Sequence, residues 1–318
     1  MTVPMIIDTD PGVDDAVALM LAATSPEVQL LAVTTVFGNA SVDVTTTNAL
    51  RLRALAGLGQ LPVATGAARP LAYPRRQRDV YWHGADGLGG QADLLPAPSG
   101  PINPLGAVTL MATLLRGAVV PVTLVAIGPL TNIALLLAVH PEVKPRIARI
   151  VTMGGDLSGT SAQFSRAQFT KTQFTRTEFN IGSDPEAARR VLVEEDVPIT
   201  LVPLDLTRRA ALEDTWLTEL AAAGPRCAAL AGIVHAVGKL RPGPVALHDA
   251  VAVLEAAAPG TLATTPMSLE VVCDHGGDRG AVVAERDLHA PHRAVQVACD
   301  ADLTSINATI LARLQNLH

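Results

Sequence analysis

The 318-residue chain is 49% apolar and carries a formal charge of −6, from 24 Lys and Arg against 30 Asp and Glu. That length and apolar content can bury one large α/β core or two smaller ones. The acidic balance, with no basic run, excludes a nucleic-acid groove, because contacts to backbone phosphates need clustered positive charge.

In chain order, short Val/Ile/Leu-rich runs alternate with Ala/Leu-rich stretches, the pattern of parallel strands joined by helices. Strands are predicted at Val3–Ile7, Gln29–Thr35, Val122–Ile127, Ile147–Met153 and Pro198–Pro203, and a helix-like segment closely follows each of the first three. Gly84 to Pro104 is Gly/Pro-rich and predicted irregular. Between Ser161 and Phe179 a five-residue unit ending in Phe repeats in tandem, a period that fits neither the 3.6 of a helix nor the 2 of a strand. It reads as an atypical loop over 158–177. It is either a surface insertion that self-associates through its Phe residues or a lid over the active site. Ser183-Asp184-Pro185-Glu186 is a capped helix start that runs to Glu194. Three scattered cysteines, Cys227, Cys273 and Cys299, fit reduced thiols. The first residues lack a secretory pattern and no apolar run reaches transmembrane length, so a cytoplasmic protein with no membrane partner is expected.

Each predicted strand ends in a polar or Gly-rich turn: Asp8-Thr9-Asp10-Pro11-Gly12, Phe37-Gly38-Asn39, Gly128-Pro129, Gly154-Gly155-Asp156 and Leu204-Asp205. Ligands of open α/β sheets bind beyond the carboxyl ends of strands, so these turns should share one face. Asp8, Asp10, Asp14 and Asp15 place four carboxylates within eight residues, between a strand and a helix beginning near Asp14. Taken singly, Asp14 and Asp15 could be first-turn acids favoured by the helix dipole, and Asp8 an Asx-turn acceptor. Together they repel unless a hard cation with oxygen ligands, calcium or magnesium, neutralises them. His248-Asp249 stands before the apolar helix Ala250–Ala258, and Tyr81-Trp82-His83-Gly84 adds a second histidine in a Gly-rich loop. Either histidine alone would read as a cap or a packed side chain.

The runs DTDPGVDDAVAL, WHGADGLGG, IGPLTNIA, MGG, EFNIGSDPEAA and LHDAVAV, in this order and spacing, resemble the inosine-uridine nucleoside hydrolase family over nearly the whole chain. The resemblance implies one domain, 1–318, with an open, mostly parallel Rossmann-like sheet flanked by helices. It implies hydrolysis of the N-glycosidic bond of ribonucleosides with Ca2+ as cofactor, a place in nucleoside salvage, and a homodimer or homotetramer. Carried over residue by residue, the metal ligands are Asp10, Asp15, Asp249 and the carbonyl of Ile127. Asp10 takes a proton from the calcium-bound water, and His248, helped by His83, protonates the leaving base. Asp14, Asn39 and Asn180 contact ribose; Glu178, Met153, Asp249 and Trp82 complete the substrate site, and Asp8 orients the loop. With both histidines filled, the chain leans to the inosine/uridine-type subgroup.

The pattern departs at the sugar's 5′ end. The Asn expected six residues before Glu178 is Thr172, inside the repeats. Either Gln173 or another repeat residue replaces it, or recognition of the 5′-hydroxyl is weakened. That leaves a rival reading, a catalytically weak calcium-dependent ribose or nucleoside-binding protein. An aspartyl-phosphate phosphatase, also suited to Asp-x-Asp after a first strand, leaves Asp14-Asp15 and His248-Asp249 without a role.

Overall fold

The computed structural model describes residues 2–73, 83–158, 177–240, 245–285 and 294–317. Their centre is a nine-stranded sheet ordered β3-β2-β1-β4-β5-β6-β9-β7-β8. The strands are β1 Val3–Thr9, β2 Val28–Thr35, β3 Val63–Thr65, β4 Val122–Ala126, β5 Ile147–Met153, β6 Ile199–Val202, β7 Ala263–Val271, β8 Val282–Glu285 and β9 Ala294–Asp300. From β3 through β6 to β9 all neighbours are parallel, whereas β7 is antiparallel to both β9 and β8. The five expected strands are present with ends shifted by two residues at most. The chain also forms β3, which is only three residues long, and the antiparallel edge β7 to β9, where the apolar runs are broken by polar and Pro residues.

The helices are α1 Val13–Thr24, α2 Val42–Leu55, α3 Gly106–Gly117, α4 Thr131–Val139, α5 Phe179–Ser183, α6 Pro185–Arg189, α7 Leu204–Thr207, α8 Asp214–Ala222, α9 Pro225–Leu240, α10 His248–Ala257 and α11 Leu303–Leu314. The helix expected to begin at Ser183 is α6. Its cap is Asp184, whose side chain accepts from the Ala187 N–H, and the coil widens into one π-turn over Arg190–Glu194. Gly84 to Pro104 is irregular apart from a 3-10 turn at Ala92–Leu94. Among the described residues no helix is long and apolar enough to cross a membrane.

Side chains alternate across a strand, so each strand feeds two cores. Met5 and Ile7 of β1 lie with α1, α9, α10 and α11 on one face, while Ile6 lies with α3, α4 and α6 on the other. Helices α1 and α10 are buried nearly all round and pack against each other. Both run into the sheet's carboxyl edge with their N-termini, which brings Asp14, Asp15, His248 and Asp249 to one place.

The strand order reverses between β1 and β4, since the chain first winds outward through β2 and β3 and then returns to the other side of β1. Such a switch point opens a crevice at the carboxyl edge, because the two connections leave in opposite directions. The turn after β1 and the turn after β4 face each other there, joined by the Ile127 N–H donating to the Asp8 carbonyl at 2.9 Å.

Asn132, in the first turn of α4, ties the crevice together. Its amide donates to Asp8 Oδ1 at 2.8 Å and to the Thr35 carbonyl at 2.9 Å, and its oxygen accepts from the Ala67 N–H at 2.9 Å. Asn132→Ala would take one of two donors from Asp8 Oδ1, which keeps the Thr34 hydroxyl, and would remove the Asn132 partner from the Thr35 carbonyl and the Ala67 N–H, at about 1–3 kcal/mol for each group left unsatisfied. A loss of roughly 2–4 kcal/mol in urea unfolding is expected from that range. A change below 1 kcal/mol would show that Asn132 is not the tie.

Candidate active site

The alternation of β1 decides what each acid of the first motif does. Asp8, the last but one residue of the strand, faces α4, where the hydroxyl of Thr34 donates to Oδ1 at 2.6 Å alongside Asn132. Burial pushes its carboxyl up to about 7 despite these donors. Asp8 therefore fastens β1, β2 and α4 behind the crevice and does not line it. Thr9 points to the opposite face and donates to Asp15 Oδ1.

Asp10 follows the strand end and is fully buried. Its Oδ2 accepts from the Asn39 N–H at 2.6 Å, and the Asn39 side-chain amide donates back to the Asp10 carbonyl at 3.1 Å. The carboxylate is cradled by two glycines: a Cβ at Gly38 would lie 1.8 Å from Oδ2, and one at Gly128 2.6 Å from Oδ1. The turns after β2 and β4 thus need Gly at these positions because Asp10 fills the space.

Asp15 is fully buried in the first turn of α1. Oδ2 accepts from the Gly12 N–H at 2.8 Å and from the Asn39 amide at 3.1 Å. Across the helix pair stands Asp249, in the first turn of α10. Ligand oxygens of Asp14, Asp15 and Asp249 lie within 4.8 Å of one another. Burial, then the charge of Asp14, raises the carboxyl of Asp15 to about 7. Asp249 is raised well above the ordinary range, first by burial and then by the charges of Asp14, Asp15, Asp10 and Glu178. A buried cluster of acids that oppose one another's ionisation is a site for a cation, which would reverse those shifts.

On the β4 side, the Ile127 carbonyl accepts one bond from the Asn180 amide at 3.1 Å, leaving its second lone pair for another partner. The same amide donates to the Met153 carbonyl at 3.2 Å, so Asn180 bridges the ends of β4 and β5. Glu178 holds Asn180 in place. Its carboxylate caps α5, accepting from the N–H groups of Asn180 at 2.8 Å, Ile181 at 3.0 Å and Gly155 at 3.0 Å.

The two histidines stand on opposite elements. His83 Nδ1 accepts from the Val13 N–H at 3.2 Å, and its Nε2 is 3.8 Å from Asp14 Oδ1. His248, the first residue of α10, pairs through Nδ1 with the hydroxyl of Thr207 at 2.8 Å. The structure therefore gathers Asp10, Asp14, Asp15, Asn39, His83, Ile127, Met153, Glu178, Asn180, His248 and Asp249 at the carboxyl edge. Trp82, Thr172 and Gln173 lie outside the described residues, as does most of the repeat loop.

Reading the sequence left out Thr9, Gly38, Gly128, Asn132 and Thr207 as site residues. The signals were present in part: Asn132 lies within IGPLTNIA, Gly38 and Gly128 lie in turns already singled out, and Thr207 is two residues past the Leu204-Asp205 turn. No pattern said that these positions touch the acids and the histidine. Gly38→Ala is expected to displace Asp10 and cut any Asp10-dependent turnover by about 10²-fold, the loss typical of a reactive group moved by an ångström. Wild-type rates in that variant, measured at saturating substrate, would show that the turn can yield.

The inosine-uridine preferring nucleoside hydrolase family model matches residues 5–308 of this chain. The pyrimidine-specific ribonucleoside hydrolase RihA of Photobacterium profundum is 46% identical over 218 residues, a match spanning 67% of this chain and 64% of the relative. RihA of Shewanella baltica strain OS155 is 45% identical over 218 residues, 67% of this chain and 63% of the relative. The chain thus matches a little under two thirds of the length of these curated relatives. Among solved structures, the plant nucleoside hydrolase PpNRh1 aligns with a TM-score of 0.84 and 25% identity, covering 99% of this chain and all of that one. The purine-preferring ribonucleoside hydrolase from Gardnerella vaginalis aligns at 0.83 and 27%, covering 99% of this chain and 98% of that one. The acids at the switch point, the nine-stranded sheet around them and a family match running almost end to end agree: this chain is a member of the inosine-uridine preferring nucleoside hydrolase family.

Proposed function

We propose that this protein hydrolyses the N-glycosidic bond of ribonucleosides, releasing ribose and a free nucleobase. The observation that carries the reading is the carboxylate cluster of half-buried Asp14 with buried Asp15 and Asp249 at the switch point, accompanied by two histidines on different elements. Departure of a base from ribose proceeds through an oxocarbenium-like sugar, as other glycoside cleavages do. A pocket of negative charge binds that cation more tightly than the neutral nucleoside, which lowers the barrier.

The donors fit calcium, since Asp10, Asp15, Asp249 and the Ile127 carbonyl are all oxygen ligands, and burial and neighbouring acids oppose the charge of Asp15 and Asp249. When bound, such a cation acidifies a water and orients the sugar hydroxyls. Asp10, held on one oxygen by Asn39, is the base proposed to take the water's proton. Asp14, Asn39 and Asn180 hold the ribose hydroxyls, with Glu178 acting through its grip on Asn180. Met153 at the end of β5 lies beside the sugar, and Trp82 is kept as a partner of the base. His248 and His83 face the leaving base.

The curated relatives are named pyrimidine-specific. That name and the two histidines both favour uridine and cytidine as substrates.

Ribose release from uridine, cytidine, inosine and adenosine tests the reading. Wild type should turn over at least one of them, Asp10→Ala should lose about 10²–10⁴ of kcat, and a calcium chelator should abolish turnover. Calcium and ribose binding by calorimetry with no ribose released from any nucleoside would leave a binding protein and sink the hydrolase.

A second measurement reads the cation apart from catalysis. Calcium at a hundred times its Kd should stabilise the fold by about 2.7 kcal/mol, from mass action alone. An unchanged melting temperature with calcium and with chelator would remove the cation from the site.

A further inference from the structure

The acid turn after β1 and the Gly-rich loop that follows His83 are far apart in the sequence, yet one buried side chain joins them. Asn48, on α2, is 2% exposed. Its amide nitrogen donates to the Pro11 carbonyl at 3.0 Å and to the Asp86 carbonyl at 2.9 Å. Two carbonyl oxygens brought to one buried spot need a donor each. The primary amide is the neutral side-chain group that offers two protons from a single atom. Residue 87 must be Gly for the loop to close on this contact. Its φ is +75°, and a Cβ there would lie 3.0 Å from the Asn48 nitrogen and 3.2 Å from the Pro11 oxygen.

Asp86 knots the loop into one unit. Its carboxylate accepts from the N–H groups of Leu88 at 2.9 Å, Gly90 at 2.8 Å and Ala92 at 3.1 Å. The Gly89 N–H in turn donates to the His83 carbonyl at 2.7 Å. Whatever fixes the Asp86 carbonyl therefore also fixes the backbone of His83. Arg51, one turn along α2, holds the far end of the loop by the Ala92 carbonyl at 3.1 Å, so Asn48 is the grip nearer the histidine. The acid turn has other holds: the Asn39 amide on the Asp10 carbonyl at 3.1 Å and the Gly12 N–H on Asp15 Oδ2 at 2.8 Å. Loss of Asn48 would thus leave the acids in place and let the histidine shift.

We propose that Asn48 is the positioning residue that seats His83 against the first turn of α1, and that it acts on the reaction only through that histidine. The proposal rests on the hydrolase reading above. It gives a part to the segment 84–92, which that reading leaves without one: the segment carries the constraint from α2 to the ring that accepts from the Val13 N–H.

The test is a double-mutant cycle on the nucleoside that the wild type turns over fastest. Asn48→Ala should lower kcat/KM by about 10–10²-fold, the scale of loss when a group at the reacting centre is displaced by up to an ångström. In a His83→Ala background the same substitution should cost no more than about twofold, because no ring is left to misplace. A side chain that merely supported the fold would cost the same factor in both backgrounds. Calorimetry of Asn48→Ala should return the wild-type Kd for calcium, since the acids keep their own donors. Gly87→Ala parts the same contact from the loop side, leaves α2 intact and should repeat the result. In wild-type NMR both protons of the Asn48 side-chain amide should be protected from exchange with solvent, a readout that needs neither turnover nor a folded variant. An Asn48→Ala enzyme with the wild-type rate, a full loss that persists without His83, a weakened calcium Kd, or a freely exchanging Asn48 amide would each overturn the proposal with the hydrolase intact. A wild type that released ribose from no nucleoside would take both down together.

Discussion

Like charges buried side by side must be balanced, and the carboxyl edge of this sheet is organised around that requirement. Asp10, Asp15 and Asp249 are almost completely excluded from solvent. Part of the balance comes from the fold. Asp14 and Asp15 stand in the first turn of α1 and Asp249 in the first turn of α10, where unpaired N–H groups and the helix dipole favour negative charge. Further donors from Thr9, Gly12 and Asn39 converge on Asp15 and Asp10. These do not suffice, since Asp15 and Asp249 remain shifted toward the neutral form. A cation held by these acids, as proposed above, would complete the balance.

The same electrostatic arrangement suits the reaction proposed above, in which the sugar becomes positive. Fixed carboxylates of this kind would need little rearrangement to stabilise an oxocarbenium-like species in that proposed reaction. The scaffold behind it is correspondingly stiff. Asp8 and Asn132 lock β1, β2 and α4 together, Glu178 spends its carboxylate on three backbone N–H groups, and glycines at 38 and 128 leave only the space that Asp10 fills. The histidines come from a loop and from a helix start, each held by a partner of its own.

Much of this was legible from residues. The Val/Ile-rich runs marked five of the nine strands because buried parallel strands are apolar on both faces. The antiparallel edge escaped, since β7 carries Thr, Pro, Ser and Glu and has one half-exposed end, which blurs the strand signal. Four carboxylates in eight residues pointed to a cluster in need of counter-charge, and the turns at strand ends marked the face where that cluster forms. The sequence could not say that Asp8 and Asp10, two residues apart and chemically identical, would part company, one buried as a tie behind the crevice and the other lining it. Position along the strand and the turn that follows it make that choice.

What the chain determined by itself is therefore the inventory: alternating strands and helices, acids at the first turn, a histidine beside an acid far downstream, and an overall acidic balance. Tertiary structure decided which members of the inventory meet. Asp15 and Asp249, 234 positions apart, become neighbours only because α1 and α10 pack side by side with their N-termini at the same edge. Thr207 meets His248, and the Val13 N–H meets His83, for the same reason. Hydrogen-bond partners across such distances follow from how helices settle on a sheet, and a local sequence pattern carries no record of that.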